Sequence, residues 1–319
     1  MLQKKIQQLA NKYFNEIQAN RRHLHQHPEL SFQEYETAKF IAQKLNDYQI
    51  PFQAGVAGTG LVAFVAGKNS DSKLVALRAD IDALPITEAN DVVYKSNSQG
   101  VMHACGHDVH TASLLGAARI LHELKNEWEG TIKLIFQPGE EKIPGGASLM
   151  IQEGVLKPKP QAILGQHVMP LLPVGKVGFR KGIYMASADE LYVRIIGKGG
   201  HGAMPENCID PILIASHIII ALQQIVSRNA PPKIPSVLSF GKIIAQGATN
   251  IIPKAIAGVG LRTRTRRNVT AGTRICCATK PVITDLGLVS IMRKLPGFIS
   301  RATPNIISAR IMFKKKNPS

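Results

Sequence analysis

Hydrophobic positions along the first 165 residues follow a helical period in some stretches and a strand-like pattern in others. Apolar side chains recur every three or four residues from about Gln3 to Gln26, which predicts an amphipathic helix. Further helices are predicted from Glu34 to about Tyr48, from Asp108 to Leu124, and over a short segment that ends at 150–154. Four short β-rich runs lie between the helices, at 60–65, 73–78, 131–136 and 162–165. This alternation predicts an α/β layer with a largely parallel sheet.

The chain changes character near Ser187. Strand-like runs at 190–196 and 237–244 flank an apolar helix from about Asp210 to Ser227, and this β-α-β pattern predicts a small second domain. In the loop between the first run and the helix, four glycines surround His201. Such glycines suit a tight hairpin with positive φ angles. They equally suit a functional loop that presents the histidine, and the local sequence leaves both interpretations open.

Polar side chains follow the ends of three predicted strands of the first part. They are Asp80 and Asp82, Glu140 and Glu141, and His167. In open α/β sheets, ligands bind outside the carboxyl ends of the parallel strands. We therefore expect three separate segments to deliver these side chains to one place.

The segment 102–110 reads Met-His-Ala-Cys-Gly-His-Asp-Val-His and suggests a metal centre. A thiolate, imidazoles and carboxylates are ligands that zinc, manganese, cobalt and nickel sites use. A glutamate beside a ligand glutamate can serve as the base that takes a proton from an activated water. Taken alone, a cysteine such as Cys105 is more often a buried small hydrophobe, and a pair such as Glu140–Glu141 is usually a solvated face. Their shared position after strand ends favours the metal site.

Length and composition set the outer limits. A chain of 319 residues with 45% hydrophobic residues predicts about two domains with sizeable cores. Four cysteines are too few and too irregularly spaced for a secreted disulfide framework. The N-terminal stretch lacks the apolar core of a signal peptide, and no uninterrupted apolar run reaches the length of a membrane span. We expect a soluble cytoplasmic protein without membrane contacts.

The net charge of +17 first suggests nucleic acid as a partner. From Leu261 onward, however, 13 basic residues stand against the single acid Asp285, a net charge of +12. The first 260 residues hold 26 basic and 21 acidic residues, a net charge of +5. The basic excess therefore belongs to the tail, and it lacks the aromatic platform or recognised module of a nucleic-acid binder.

Seven ordered motifs carry a resemblance to a known family. They are 25–34 (His-Gln-His-Pro-Glu-Leu-Ser-Phe-Gln-Glu), 76–85 (Ala-Leu-Arg-Ala-Asp-Ile-Asp-Ala-Leu-Pro), 102–108 (Met-His-Ala-Cys-Gly-His-Asp), 136–141 (Phe-Gln-Pro-Gly-Glu-Glu), 165–168 (Gly-Gln-His-Val), 199–205 (Gly-Gly-His-Gly-Ala-Met-Pro) and 250–253 (Asn-Ile-Ile-Pro). The chain resembles the aminoacylase and carboxypeptidase family of co-catalytic metallohydrolases. Within it, the chain resembles hippurate hydrolases, N-acyl-amino-acid amidohydrolases and indole-acetyl-amino-acid hydrolases.

The resemblance implies roles for individual residues. Cys105, His107, Glu141 and His167 resemble ligands of a paired site for two divalent ions (manganese, zinc, cobalt or nickel), and Glu140 resembles the general base. Asp82 resembles the residue that orients a ligand. His201 resembles the histidine that reaches across a homodimer to stabilise the oxyanion, and Asn250 is expected to line the same pocket. The implied reaction hydrolyses the amide of an N-acyl amino acid to a carboxylate and a free amino acid.

The other histidines in these motifs are assigned supporting roles. His25 and His27 are expected to serve structure or loop packing, and His103 and His110 to support the ligands through hydrogen bonds. Asp108, near the start of its helix, is expected to accept backbone N–H bonds there.

The resemblance also implies a division into domains. We expect a catalytic domain at 1–184, an inserted smaller α+β lid or dimerisation domain at 185–262, and a basic tail at 263–319 without family motifs. Because no histidine follows His217, the late metal ligand of the family has no counterpart. A frameshifted or truncated gene accounts for this, and it predicts depleted metal, unpaired strand edges and exposed apolar surface. A catalytically inactive remnant that keeps partial metal binding or dimerisation is therefore the alternative function, and a tail that binds nucleic acid is a remote one.

Overall fold

The structure is a computed structural model that describes residues 2–179, 187–232, 236–265 and 310–315. The chain forms two compact units that divide between Lys176 and Val177. Each unit has its own sheet and its own apolar core. The predicted domain boundary between residues 184 and 185 lies outside the described residues, as does most of the predicted tail at 263–319.

The first unit combines helices with a five-stranded sheet. Its helices are α1 (Leu2–Gln26), α2 (Tyr35–Asp47), α3 (His107–Glu123) and α4 (Gly146–Gln152). Its strands are β1 (Phe52–Val56), β2 (Gly60–Ala66), β3 (Leu74–Asp80), β4 (Thr131–Gln137) and β5 (Ala162–Gly165). The strand order is β1-β2-β4-β3-β5.

Four of these five strands point the same way. β4, β3 and β5 pair in parallel, whereas β2 runs antiparallel to both β4 and β1. The predicted α/β class with a mostly parallel sheet is therefore confirmed. Every helix and strand predicted in this unit is present with bounds within two residues of those expected. The exception is β1, which the sequence did not predict because only its last residue, Val56, is buried and no apolar alternation marks it.

The main core holds α3 against the sheet. Ile41 and Leu45 of α2, Leu115 of α3, and Leu134 and Phe136 of β4 are fully buried in one cluster. Burial of each such side chain stabilises the fold by about 1.5–3 kcal/mol. This packing positions the site, because the first residue of α3 is His107.

The second unit is an antiparallel sheet with a helix packed on one face. Its strands are β6 (Ser187–Ile196), β7 (Gly200–His201), β8 (Ser236–Ala245), β9 (Ile251–Ile252), β10 (Ala255–Thr265) and β11 (Arg310–Lys315), and its helix is α5 (Pro211–Gln224), which a π-helical turn extends to Asn229. The main sheet has the order β11-β6-β10-β8, and β7 pairs with β9. β10 therefore lies between β6 and β8. The sequence predicted β6 and β8 but not β10.

The helix α5 and its extension, Pro211–Asn229, are long and apolar enough to cross a membrane by composition alone, with a mean hydropathy of 1.4. One face of this helix packs on the sheet, however. Ile214, Ala215 and Ile218 join Val193 and Ile195 of β6 in the core of the second unit. This burial gives the apolar composition an ordinary structural cause.

One sequence-based expectation is wrong, and one of the two open interpretations of the His201 loop is excluded. Asp108 does not cap α3, because the residue at that position is Gly106 and no side-chain cap bond is present. The glycines around His201 do not adopt positive φ. They permit close backbone approach instead, since a Cβ at Gly199 would lie 2.8 Å from the carbonyl oxygen of Ile252. Strand β11 from the basic tail pairs with β6, whereas β5 and β8 each have an outer edge with which no described strand pairs.

Candidate metal centre

The carboxyl ends of β3, β4 and β5 converge on His107, as expected. The Nε2 atom of His107 lies 3.6 Å from Oδ2 of Asp80 and 3.9 Å from Oε1 of Glu141. One ligand atom from each of His107, Glu140 and Glu141 falls within 4.8 Å of the others, and the same holds for Cys105, His107 and His167. The other three predicted metal ligands and the predicted base therefore lie around the buried imidazole of His107.

Cys105 and His167 form the outer side of this cluster. The Sγ atom of Cys105 lies 3.3 Å from Nε2 of His167. The Nδ1 atom of the same ring lies 2.8 Å from the carbonyl oxygen of Val168. If Nδ1 donates to that oxygen, Nε2 keeps its lone pair and can bind a metal.

The glycine between Cys105 and His107 is required by the backbone. Gly106 has a φ of +85°, and a Cβ there would lie 2.4 Å from Cγ2 of Val168. A left-handed conformation and a close neighbour both exclude a larger residue. Gly106 thus turns the chain so that α3 begins at His107 while the segment carrying His167 packs directly against the turn.

Asp82 orients His107, which agrees with the role that the resemblance implies. Oδ1 of Asp82 lies 3.0 Å from Nδ1 of His107, while its Oδ2 accepts hydrogen bonds from Ser31 Oγ at 2.6 Å and from the backbone N–H of Glu141 at 2.9 Å. The side chains of Asp82, His107 and Ser31 are buried. The arrangement fixes the orientation of the His107 ring and links it to the glutamate loop.

The residues present fit a divalent metal. With Nδ1 of His107 bonded to Asp82, its Nε2 is buried and has no hydrogen-bond partner in the described part of the chain. A buried imidazole nitrogen without a partner is costly unless something binds it. Thiolate, imidazole and carboxylate donors around it are the set that zinc and related cations use.

The electrostatics of the cluster favour positive charge at this point. Burial by itself lowers the pKa of His107, but the hydrogen bond to Asp82, the proximity of Cys105 and the charges of Asp80 and Asp82 raise it to about 11. Burial opposes ionisation of Asp80, yet the hydrogen bond from His110 and the charge of Arg78 lower its pKa to about 2. The same competition lowers the pKa of Asp82, chiefly through His107 and Ser31. These carboxylates provide the negative surroundings that a bound cation needs.

Asp80 is a site residue that the sequence placed at a strand end but did not assign. Its Oδ2 accepts a hydrogen bond from Nη1 of Arg78 at 2.7 Å, and its Oδ1 lies 2.6 Å from Nδ1 of His110. Nε2 of His110 accepts the backbone N–H of Val168 at 2.9 Å. Both nitrogens of His110 are thereby occupied, so this ring supports the cluster and the His167 segment, as predicted. A signal for Asp80 was its position at the carboxyl end of β3, two residues before Asp82.

The electrostatic environment of Glu140 suits a base. Partial burial raises the pKa of its carboxyl, and the neighbouring charges of Glu141 and Asp80 raise it further. A pKa moved toward neutrality makes a carboxylate a better proton acceptor at physiological pH. Glu140 and Glu141 therefore differ in environment although they are adjacent in sequence.

The remaining motif histidines divide between two outcomes. Both ring nitrogens of His25 face buried carboxylates, with Nδ1 2.8 Å from Asp108 and Nε2 3.0 Å from Glu88, which agrees with the expected structural role. The hydrogen-bonding role expected of His103 is wrong. This buried ring makes no hydrogen bond through either nitrogen within the described residues, and burial lowers its pKa to about 4.

His201 and Asn250 belong to the second unit, whereas the metal-centre residues belong to the first. The backbone N–H of Gly202 donates to the carbonyl oxygen of Asn250 at 2.7 Å, so the two predicted pocket residues are neighbours. Nδ1 of the exposed His201 ring accepts the N–H of Ala203 at 3.1 Å. Their contacts with substrate stay predictions.

Comparison with known proteins identifies the family of the chain. Residues 76–295 match the model of peptidase family M20/M25/M40. The chain belongs to this family. The matched range contains every residue of the cluster described above. It also passes Leu261, after which the sequence itself displays no further family motif.

Curated relatives and a solved structure give the same result. The chain is 44% identical over 253 residues to an N-acyl-L-amino acid amidohydrolase of Geobacillus stearothermophilus, covering 79% of this chain and 68% of the relative. It is 44% identical over 256 residues to the hippurate hydrolase of Campylobacter jejuni, covering 80% and 66%. The structure of the Bacillus subtilis YXEP protein, a dinuclear metal-binding peptidase from the M20 family, matches with a TM-score of 0.64 at 34% identity, covering 96% of this chain and 74% of that one. The chain thus spans about two thirds of the length of these relatives. It covers 65% and 64% of two further relatives.

Proposed function

We propose that this chain is a metal-dependent amidohydrolase that cleaves the amide bond of N-acyl amino acids. The observation that carries the proposal is the buried, unpartnered Nε2 of His107 among Cys105, Glu141 and His167, with Glu140 beside them. This is a site for a cation next to a proton acceptor. Relatives named as N-acyl amino acid and hippurate hydrolases support the substrate class.

Cys105, His107, Glu141 and His167 would hold the divalent ions. Bound divalent cations polarise the scissile carbonyl and make a water acidic enough to lose a proton near neutral pH. The chain's own residues supply the remaining tasks. Asp82, bonded to Nδ1 of His107, directs Nε2 toward the site, where it would bind the cation in its unprotonated form. Asp80 and Asp82 offset the positive charge of the site.

Glu140 handles the proton of the reaction. Its carboxylate takes a proton from the water whose oxygen bonds to the carbonyl carbon. When the C–N bond breaks, the same carboxyl returns that proton to the departing nitrogen, so that a carboxylic acid and a free amino acid leave. His201 is proposed to stabilise the oxyanion and Asn250 to contact the substrate, as the resemblance implies. Manganese, zinc, cobalt and nickel are the metals proposed, and the native one among them is to be found by experiment.

A homodimer through the second unit is a further part of the proposal. Leu213 and Ile220 of α5 are more than half exposed, and they lie seven residues apart on the helix face that does not contact the sheet. Apolar side chains in such an arrangement favour contact with a second copy. A reducing cytoplasm is the proposed compartment, because Cys105 and Cys208 are free thiols and a ligand cysteine must be a thiolate.

The second candidate is an inactive remnant that keeps partial metal binding. It is favoured by the change in composition after Leu261, where 13 basic residues stand against a single acid. The test incubates purified protein with manganese, cobalt or zinc and measures amino-acid release from hippurate and N-acetyl amino acids. Release supports the amidohydrolase. A folded, metal-loaded protein without release supports the remnant, as would elemental analysis that finds at most one tightly bound ion per chain.

A further inference from the structure

The segment that joins α1 to α2 contains a buried carboxylate that the proposed reaction does not use. Glu34 has a relative exposure of 0% although it is ionisable. Its Oε1 accepts a hydrogen bond from the backbone N–H of Gly139 at 2.8 Å, and its Oε2 accepts one from the hydroxyl of Thr59 at 2.5 Å. Glu34 closes the 25–34 motif, whose purpose the sequence did not reveal. A buried carboxylate is retained only where its oxygens have partners, so its partners indicate what it does.

The partner Gly139 immediately precedes Glu140. The amide on the other side of Glu140, the N–H of Glu141, donates to Oδ2 of Asp82 at 2.9 Å. Buried carboxylates therefore hold the backbone both before and after the proposed base. Hydrogen bonds from N–H groups to ionised acceptors are about twice as strong as those between neutral groups. The two bonds restrain the position of the Glu140 backbone from two directions.

The shape of the Gly139 turn agrees with this restraint. Gly139 has a φ of +54°, and a Cβ there would lie 2.4 Å from two ring carbons of Phe32. Phe32 belongs to the same segment as Glu34. The carbonyl oxygen of Gly139 accepts the N–H of Gly146, which anchors the other side of this peptide. The turn is thus packed and hydrogen-bonded at a residue that contributes no side chain.

We propose that Glu34 is a positioning residue for Glu140. It holds the Gly139 amide so that the glutamate carboxylate stands at a fixed place beside His107, as Asp82 holds the ring of His107 itself. The proposal rests on the proposed function for its catalytic consequence, whereas its structural part stands on the Gly139 bond alone. Removal of a residue that orients a functional group typically lowers activity about 10- to 100-fold. The reason is that a small displacement of a reacting group slows the reaction.

The experiment compares four variants of the full chain. Glu34→Ala removes the hydrogen bonds to both Gly139 and Thr59. Thr59→Val removes only the hydrogen bond between Thr59 and Glu34 and leaves the one to Gly139. Glu34→Gln keeps a carbonyl oxygen for the Gly139 amide, while its NH₂ group can donate to the hydroxyl of Thr59. The matched control is Glu29→Ala. Glu29 lies in the same segment and its carboxylate accepts backbone N–H bonds from Glu36 and Thr37, but it does not contact the Gly139 turn.

Two readouts separate positioning from general destabilisation. Amide hydrogen exchange over residues 136–143, measured on metal-free folded protein, should rise at least tenfold at Gly139 in Glu34→Ala and stay unchanged in Glu29→Ala. In the activity assay with N-acetyl amino acids, Glu34→Ala should lower kcat about 10- to 100-fold with KM within about twofold. Glu34→Gln should restore most of both, and Thr59→Val should change each only slightly.

Equal effects of Glu34→Ala and Glu29→Ala on exchange at Gly139 would overturn the proposal, and so would a full kcat in Glu34→Ala. If the parent chain releases no amino acid with any metal, the proposed function fails, yet the exchange comparison still decides whether Glu34 holds the turn. The two failures are therefore distinguishable.

Discussion

His107 and Asp82 are joined by one hydrogen bond, 3.0 Å between Nδ1 and Oδ1, and this bond determines which nitrogen of His107 faces the site. With Nδ1 occupied, Nε2 points toward Asp80 and Glu141 without a partner among the described residues. The relationship gives the proposed metal ligand His107 a fixed orientation.

Asp82→Ala should therefore lower metal affinity. Loss of the orienting carboxylate frees the ring of His107 and also removes the acceptor of the Glu141 amide. We expect the dissociation constant for zinc or cobalt to rise roughly 10- to 100-fold. Competition with a chromophoric chelator measures it. The control is Asp71→Asn, which removes the charge of an exposed residue in a remote turn. It should leave the dissociation constant unchanged.

Replacement of adjacent glutamates should separate base from ligand. Glu140→Gln removes the proton acceptor while preserving size, so kcat for an N-acyl amino acid should fall about 100- to 10,000-fold with metal content retained. Glu141→Gln should instead weaken metal binding. Steady-state kinetics together with elemental analysis of both variants provide the check. Similar metal loss in the two variants would contradict the division of roles.

Gly106→Ala should destabilise the protein more than a glycine replacement without a close neighbour. Gly55 offers the matched control, because its φ of +81° is similar but nothing lies within 4 Å of a Cβ built there. Gly55→Ala should cost about 1–2 kcal/mol from left-handed strain alone. Gly106→Ala adds the contact with Val168, and Val168→Ala in the same chain should recover that added part. Urea unfolding of the four proteins measures the difference.

Stability should depend on pH through the buried pair of His25 and Glu88. The hydrogen bond to Asp108 raises the pKa of His25 above 6.5 despite burial, so its contribution is full below pH 6.5 and is lost as the pH rises through the raised value. Burial opposes ionisation of Glu88, but hydrogen bonds from His25 and Ser96 lower its pKa to about 2. Its contribution is full above pH 4.5 and is lost as the pH falls toward 2.

The two contributions overlap between about pH 5 and 6. There, Glu88→Gln should lose roughly 3–5 kcal/mol of unfolding free energy, because it leaves a buried imidazolium short of a partner. The loss should shrink at pH 9 and at pH 3. Calorimetry across this range tests it against Glu127→Gln, which removes one side of an exposed pair with Lys5 and should have little effect at any pH. A loss independent of pH would show that charge is not its cause.

The strand β5 should promote self-association. It pairs with β3 on one side, and in the described chain no strand pairs with its other edge. Ile163 and Leu164 on this strand are about half exposed. Because lysine on an open edge discourages strand pairing, Leu164→Lys should raise the monomer fraction in sedimentation velocity. Ile86→Lys, which charges a similarly exposed apolar residue away from strand edges, should not.

Much of this molecule followed from local sequence patterns. The periodic segments gave the helices α1 to α3 and the strands β2 to β5 nearly to their ends, since those segments bury one consistent face. Residues directly after β3, β4 and β5 identified the site, because parallel strands deliver their carboxyl ends to one edge. The strand β1 escaped prediction because most of its residues are exposed and carry no apolar alternation.

The sequence by itself determined the elements of the first unit other than β1, the candidate ligand set and the family, because each rests on residues close together along the chain or on ordered motifs. Only the tertiary structure decided the pairing of those residues. It showed that Asp108 bonds His25, 83 positions away, in place of its own helix end, and that Glu34 reaches Gly139 across 105 positions. Contacts between distant segments depend on how helices pack on the sheet, and a hydrogen bond has no local sequence signature when its two partners lie in different elements.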